Sequence, residues 1–128
     1  MPLYWFPRDC PRVCFWAQAR TTTADAILLH GSFRVHALEA TWLERMRATR
    51  VVAYRLPEEA FEHSGDGFWV SRDPVEPLEL LELGDLLAGH REASIELRVV
   101  PNIWPLWQRV ASSTLEFSGI RLRNAQGS

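Results

Sequence analysis

The sequence predicts an α+β fold: a mixed, mostly antiparallel sheet with helices packed on it. Three observations predict it. Short segments alternate apolar and polar residues, as Ile95, Leu97 and Val99 do with Glu96 and Arg98. Other segments repeat apolar residues at helical spacing, as Leu38, Trp42, Leu43 and Met46 do. The two kinds interleave without a strict βαβ rhythm. About five or six strands and two or three helices are expected for a domain of this scale.

Each element has its own signal. Pro7, Pro11 and the Asp9-Cys10 step predict a rigid extended segment with a sharp turn. A short buried strand follows over 13–17. Thr21 to Asp25 offers helix caps and Gly31 a stop for a brief helix. Phe33, Val35 and Ala37 alternate with Arg34 and His36, the period of a strand. Thr41 can cap the next helix, with Glu44 at the capping-box position. The segment 51–56 is the clearest strand and Pro57 ends it; 58–66 is expected as a loop, either plain or with a helical turn. Short strands are expected at 68–70 and 78–83, then a short helix from Gly84-Asp85 through His90 and a half-buried strand at 95–99. Pro101-Asn102 starts a helix carrying Ile103, Leu106, Trp107 and Val110. A last strand runs over 117–122, with Gly119 as a candidate bulge. The expected core is Trp16, Trp42, Leu43, Val52, Trp69, Leu97, Ile103, Leu106 and Trp107.

The chain of 128 residues is the length of one domain, and a single domain over 1–128 is expected. Hydrophobic residues at 47% and charged residues at 23% are in the globular range. No apolar run is long enough to span a bilayer, and the start lacks a signal-peptide pattern, so a cytoplasmic protein with no membrane partner is expected. All 14 basic residues are arginine. This composition fits a coding bias or phosphate recognition by the planar guanidinium fork. Charge is uneven: ten acids against two arginines give −8 over 58–92, between basic ends of +4 (1–57) and +2 (93–128). That pattern argues against a general nucleic-acid-coating surface and leaves room for a local basic cleft. Cys10 and Cys14 are too far apart in a strand for a disulfide and lack partners for zinc, so two reduced, packed thiols are expected.

There is no phosphate-cradling glycine loop, nucleophile elbow or paired-histidine zinc signature. The four histidines are dispersed; His36 and Glu39 could share a metal, but one such pair is common by chance, and no metal site is assigned. Tyr4-Trp5-Phe6-Pro7-Arg8 reads either as a base-stacking wall with a phosphate-binding arginine or as a proline-fixed turn with Arg8 on a carboxylate such as Asp9. Glu96 beside Arg98 is either a solvated pair or a carboxylate at the lip of a cleft. Arg121 and Arg123 fall on one strand face, as phosphate contacts or as a solvent-facing edge.

Several stretches carry a resemblance. Pro2 to Arg12, Trp69-Val70-Ser71-Arg72, Gly84-Asp85-Leu86-Leu87, Ile95-Glu96-Leu97-Arg98 and Phe117 to Ala125 resemble a bacterial family of unassigned function over nearly the whole chain. Its members carry a further N-terminal segment with a Leu-Phe-His-Phe-Ser stretch, so this chain is expected to begin after that segment and to lack its strand. An open sheet edge and self-association would follow. More distantly, Pro2-x-Tyr4-x-x-Pro7-Arg8 is similar to a motif of DNA-targeting ADP-ribosyltransferase toxins, and Ile95-Glu96-Leu97-Arg98-Val99 is similar to their strand bearing the catalytic glutamate. After the arginine this chain has Asp9-Cys10-Pro11 where the toxins have Ser-Pro. The resemblance implies NAD as co-substrate and transfer of ADP-ribose to a nucleic acid or protein. Glu96 would be catalytic, and Arg8, Tyr4, Trp5, Arg121 and Arg123 would surround the NAD. The alternative is a non-catalytic nucleotide- or partner-binding module.

Overall fold

A computed structural model describes residues 6–127. The chain runs β1 (Arg12–Trp16), α1 (Thr23–Ala26), β2 (Arg34–Glu39), α2 (Leu43–Ala48), β3 (Arg50–Arg55), β4 (Glu62–Gly65), β5 (Phe68–Val70), β6 (Glu79–Asp85), α3 (Leu86–Glu92), β7 (Glu96–Val100), α4 (Trp104–Ala111) and β8 (Glu116–Ile120). The fold is α+β with mixed, mostly antiparallel sheets. No helix among the described residues is long and apolar enough to cross a membrane.

The chain divides into two compact units, one holding the residues up to Thr49 and from Asp85 onward, the other Arg50–Gly84. The first is built on a four-stranded sheet in the order β7-β2-β1-β8. β1 pairs antiparallel with β2 (Phe15 opposite Val35) and with β8 (Phe15 opposite Phe117). β2 pairs parallel with β7, Val35 opposite Glu96.

Successive side chains of a strand point to opposite faces, and here both faces are covered. On one face Val13, Phe15, Val35 and Ala37 pack with Leu28, Leu29, Ile103, Val110 and Leu115 as the main core. On the other, Cys14, His36 and Leu38 are fully buried, and the Phe6 ring lies 5.5 Å from His36 and 5.6 Å from His90 of α3. All six residues of β2 are therefore buried, including Arg34, His36 and Glu39.

The helices are short and depend on caps. The Thr22 hydroxyl accepts from the Asp25 amide ahead of α1. The turn after it ends on His30 in the left-handed region, with Gly31 next. The Asp85 carboxylate accepts from Leu87 and Ala88 to start α3. The capping box expected at Thr41 does not form: a 3-10 turn occupies Ala40–Trp42, and α2 begins at Leu43 without a side-chain cap. At α4 the Asn102 side chain accepts from Trp104, and the buried Glu39 carboxylate accepts from the Ile103 amide at 3.0 Å and the Gln126 amide at 3.0 and 3.2 Å.

Two sequence expectations fail at the chain's end. β8 stops at Ile120, Arg121 turns into the left-handed region and Leu122–Asn124 is a 3-10 turn, so Arg121 and Arg123 do not share a strand face. Gly119 is not a bulge. It pairs in register with Val13, and a Cβ there would lie 2.6 Å from the Trp107 ring.

The second unit has two two-stranded sheets, β3 with β6 and β4 with β5. The segment expected as a loop holds β4, which turns into β5 through Asp66 (φ 52°) and Gly67 (φ 79°). Val52 and Trp69, expected in the core, lie in these sheets and are 44% and 59% exposed, because a two-stranded sheet has little of its own to cover them. Of the other expected core residues Ile103 is fully buried, while Trp16, Trp42, Leu43, Leu97, Leu106 and Trp107 are half-buried.

Candidate functional site

At one end of the four-stranded sheet, where β1 finishes and β2 and β7 begin, lies a cavity of about 490 Å³. That volume is within the usual range for a small-molecule site. Trp16, Leu29, Phe33, Ile95, Ser32 and Arg34 line it with two alanines. The walls are mostly apolar, and Arg34 supplies the charge.

Arg34 is held in place from two directions. It sits opposite Trp16 in the β1–β2 register, and its guanidinium carbon lies 4.1 Å from the centre of the indole ring. Its Nε donates to His36 Nε2 at 2.8 Å. Behind it, His36 Nδ1 and His90 Nε2 are 2.9 Å apart, and His90 Nδ1 is 2.8 Å from the Leu86 carbonyl oxygen. A carbonyl only accepts, so His90 carries its proton on Nδ1 and its Nε2 accepts from His36 Nδ1–H. His36 Nε2 is then the lone pair that receives Arg34. Both imidazoles are neutral in this arrangement. Burial pushes His36 down to about 3, with His90 and Arg34 nearby acting in the same sense. Burial also lowers His90, against the opposing hydrogen bond to Leu86.

Arg34 is 8% exposed, and among the described residues nothing accepts from its two terminal nitrogens. Its charge has no counter-ion there. The nearby carboxylate, Glu96, is already engaged. Arg98 Nε donates to Glu96 Oε2 at 2.6 Å, and the Ser32 hydroxyl donates to Oε1 at 2.7 Å. Arg98 is itself fixed by the Leu28 carbonyl at 2.7 Å. These bonds, that from Arg98 first and that from Ser32 behind it, hold the Glu96 carboxyl below its ordinary range against the opposing effect of burial. Glu96 thus stands behind Ser32, paired and half-buried.

The other residues singled out from sequence lie elsewhere. Tyr4 and Trp5 are outside the described residues. Arg8 is exposed in a turn closed by the Cys10 amide on the Pro7 carbonyl at 3.2 Å. It precedes Arg12, which pairs with Leu38 at the end of β2; Glu96 pairs with Val35 near its start. The structure does not bring Arg8 and Glu96 together, because they flank opposite ends of the sheet. Arg121 joins the Arg8 end: its Nε is 3.7 Å from the Asp9 carboxylate, while Arg123 is exposed in the neighbouring turn. The carboxylate partner expected for Arg8 is therefore taken by Arg121. His36 and Glu39 serve separate networks, and no group of three or more metal-ligating side chains occurs among the described residues.

Sequence reading missed Arg34, Trp16 and Ser32 as a group. The alternation in β2 reads as one polar face, and only the cover over that face turns Arg34 into a buried cation.

Fold and site together define an α+β protein with an arginine-lined cavity at the end of its main sheet. The chain belongs to the family of unknown function DUF6886, whose model matches residues 1–125. No curated protein and no solved structure matches it.

Proposed function

We propose that this protein is a binding module for a small molecule that joins an apolar body to an anionic group, a carboxylate or a phosphate. The observation that carries the reading is Arg34. A buried guanidinium without a counter-ion costs several kcal/mol unless an anion completes it. Its two terminal nitrogens present the fork that a carboxylate or phosphate accepts in two parallel bonds. Trp16 beneath and His36 beside it fix the fork before any ligand arrives, so little ordering remains to oppose binding. Trp16, Leu29, Phe33 and Ile95 supply apolar walls for the rest of the molecule.

The test is titration calorimetry with 3-phenylpropionate, phenyl phosphate and the uncharged 3-phenylpropanol. At least one anion should bind measurably more tightly than the alcohol. Arg34→Met should weaken that anion by about tenfold or more, the usual worth of charge-assisted hydrogen bonds, and Arg34→Lys should lose less. Circular dichroism confirms that the variants fold. Equal binding of acid and alcohol, or an anion affinity unmoved by Arg34→Met, would sink the reading.

A further inference from the structure

The unit Arg50–Gly84 carries more apolar surface than it covers. Ten of the fourteen large hydrophobic side chains exposed among the described residues lie in it. Leu80 and Leu81 are successive residues of β6, so they point to opposite faces of the β3–β6 ribbon. They are 52% and 41% exposed, so the ribbon shows leucine to water on both sides. A two-stranded ribbon is marginal without a third strand or a packed layer. Apolar patches rimmed by charge mark interaction surfaces, and here Glu82 shares its face of β6 with Leu80. Tyr54, Phe68 and Trp69 are each more than half exposed. An aromatic side chain covers roughly 150–250 Å², so these rings and the seven aliphatic side chains are on the scale of the roughly 800 Å² per partner that a stable interface buries.

Charge selects what covers it. Three arginines against eight acids give this unit a net −5, and eleven arginines against eight acids give the rest of the chain +3. Two ribbons face to face would set −5 against −5, which opposes that pairing. The complementary surface is apolar with a basic rim, and the four-stranded unit has one. A groove of about 370 Å³ at the end of β7, beside α4, is lined by Leu28, Val100, Pro105 and Leu106 with Arg98 and Arg109, and by no acid. Arg109 is exposed, and no ion pair of its guanidinium occurs among the described residues. We infer that the Arg50–Gly84 unit of one copy of this chain docks on the Arg109 groove of a second copy, and that the exchange is reciprocal. Two acidic ribbons and two basic grooves then close a symmetric dimer. The leucines of β6 meet the apolar floor, and Glu82 meets the Arg109 rim.

Sedimentation equilibrium of the full chain reads both mass and dissociation constant. A dimer of the 14.7 kDa chain is expected. Its dissociation constant should rise several-fold from about 0.05 to about 0.5 M salt, because the attraction between opposite charges is screened. A dimer that tightens with salt would place ribbon against ribbon and overturn the groove. Arg109→Glu and Glu82→Arg should each weaken association by about tenfold or more, since each sets like charges across both contacts. Both side chains are exposed, and circular dichroism checks that the variants fold. Mixing the two variants should restore association. In the mixed pair one contact is native and the other carries both reversals, so the pair should hold about tenfold more tightly than either variant with itself. A merely misfolded variant gains nothing from the mixture. A chain that stays monomeric at millimolar concentration, a dimer indifferent to Arg109→Glu, or a mixture no tighter than its parts would overturn the inference.

Discussion

Arg34 lies over the ring of Trp16, its guanidinium carbon 4.1 Å from the ring centre, on the residue directly opposite it in the β1–β2 pair. Cross-strand pairing thus does more than join two strands. It lays a cation on an aromatic face in the wall of a cavity, and such contacts strengthen with the loss of water.

The neutral histidines behind Arg34 set a pH dependence. His36 is held down to about 3 and His90 is lowered as well, both first by burial. An unfolded histidine titrates near 6.5. Below that pH the unfolded chain binds protons that the folded chain refuses, so stability falls as the pH falls. His36 contributes fully above about pH 6.5 and loses its contribution progressively toward pH 3, at a slope of up to about 1.4 kcal/mol per pH unit. Urea unfolding at pH 7.5, 6.5 and 5.5 should show the midpoint dropping across the series. A midpoint independent of pH over that span would contradict the assignment of both rings as neutral.

Gly119 should not accept a side chain. Its backbone is ordinary, so no left-handed strain is involved. An added Cβ would meet Trp107 at 2.6 and 2.9 Å and Leu122 at 3.0 Å. The Trp107 ring also packs edge-on against Phe117, 5.6 Å away, and has little freedom to retreat. Gly119→Ala should destabilise the protein by about 1–3 kcal/mol, the usual cost of overpacking. Thermal unfolding measures it, and a variant as stable as the parent would show that Trp107 moves freely.

The cysteines should be chemically quiet. Both are free and buried, and burial pushes the Cys10 thiol up to about 12 and Cys14 to about 11. Alkylation proceeds through the thiolate. Iodoacetamide at pH 8 should leave both unmodified in the native protein by mass spectrometry and label both in urea. Rapid native labelling at Cys10 would mean that the Phe6–Cys10 segment opens readily.

The sequence carried the sheet better than the site. The apolar run 13–17 located β1, alternation located β2 and β7, and the capping residues Thr22 and Asp85 marked two helix starts. β4 escaped because Glu62, His63 and Ser64 have no apolar period. Its signal was Asp66-Gly67, a dipeptide suited to the two positive-φ positions of a tight hairpin turn. Arg34 and His36 escaped for another reason. Period two says which residues share a face but not whether that face meets water. That is decided by Phe6 and His90, 30 and 54 positions away from His36, and no local pattern encodes it. Glu96 was legible as a residue of interest; its engagement with Ser32, 64 positions earlier, was not.

The hydrogen-bond chain from Arg34 through His36 and His90 to Leu86 runs in one sense only. Turning either ring over would set carbon against nitrogen, or proton against proton, at both of its contacts. One imidazole cannot flip alone, and the Leu86 carbonyl, which cannot donate, forbids reversing them all. β2 and α3 are thereby keyed to each other by where protons sit as much as by shape. A substitute of equal volume at His36 would fill the space without fitting the key.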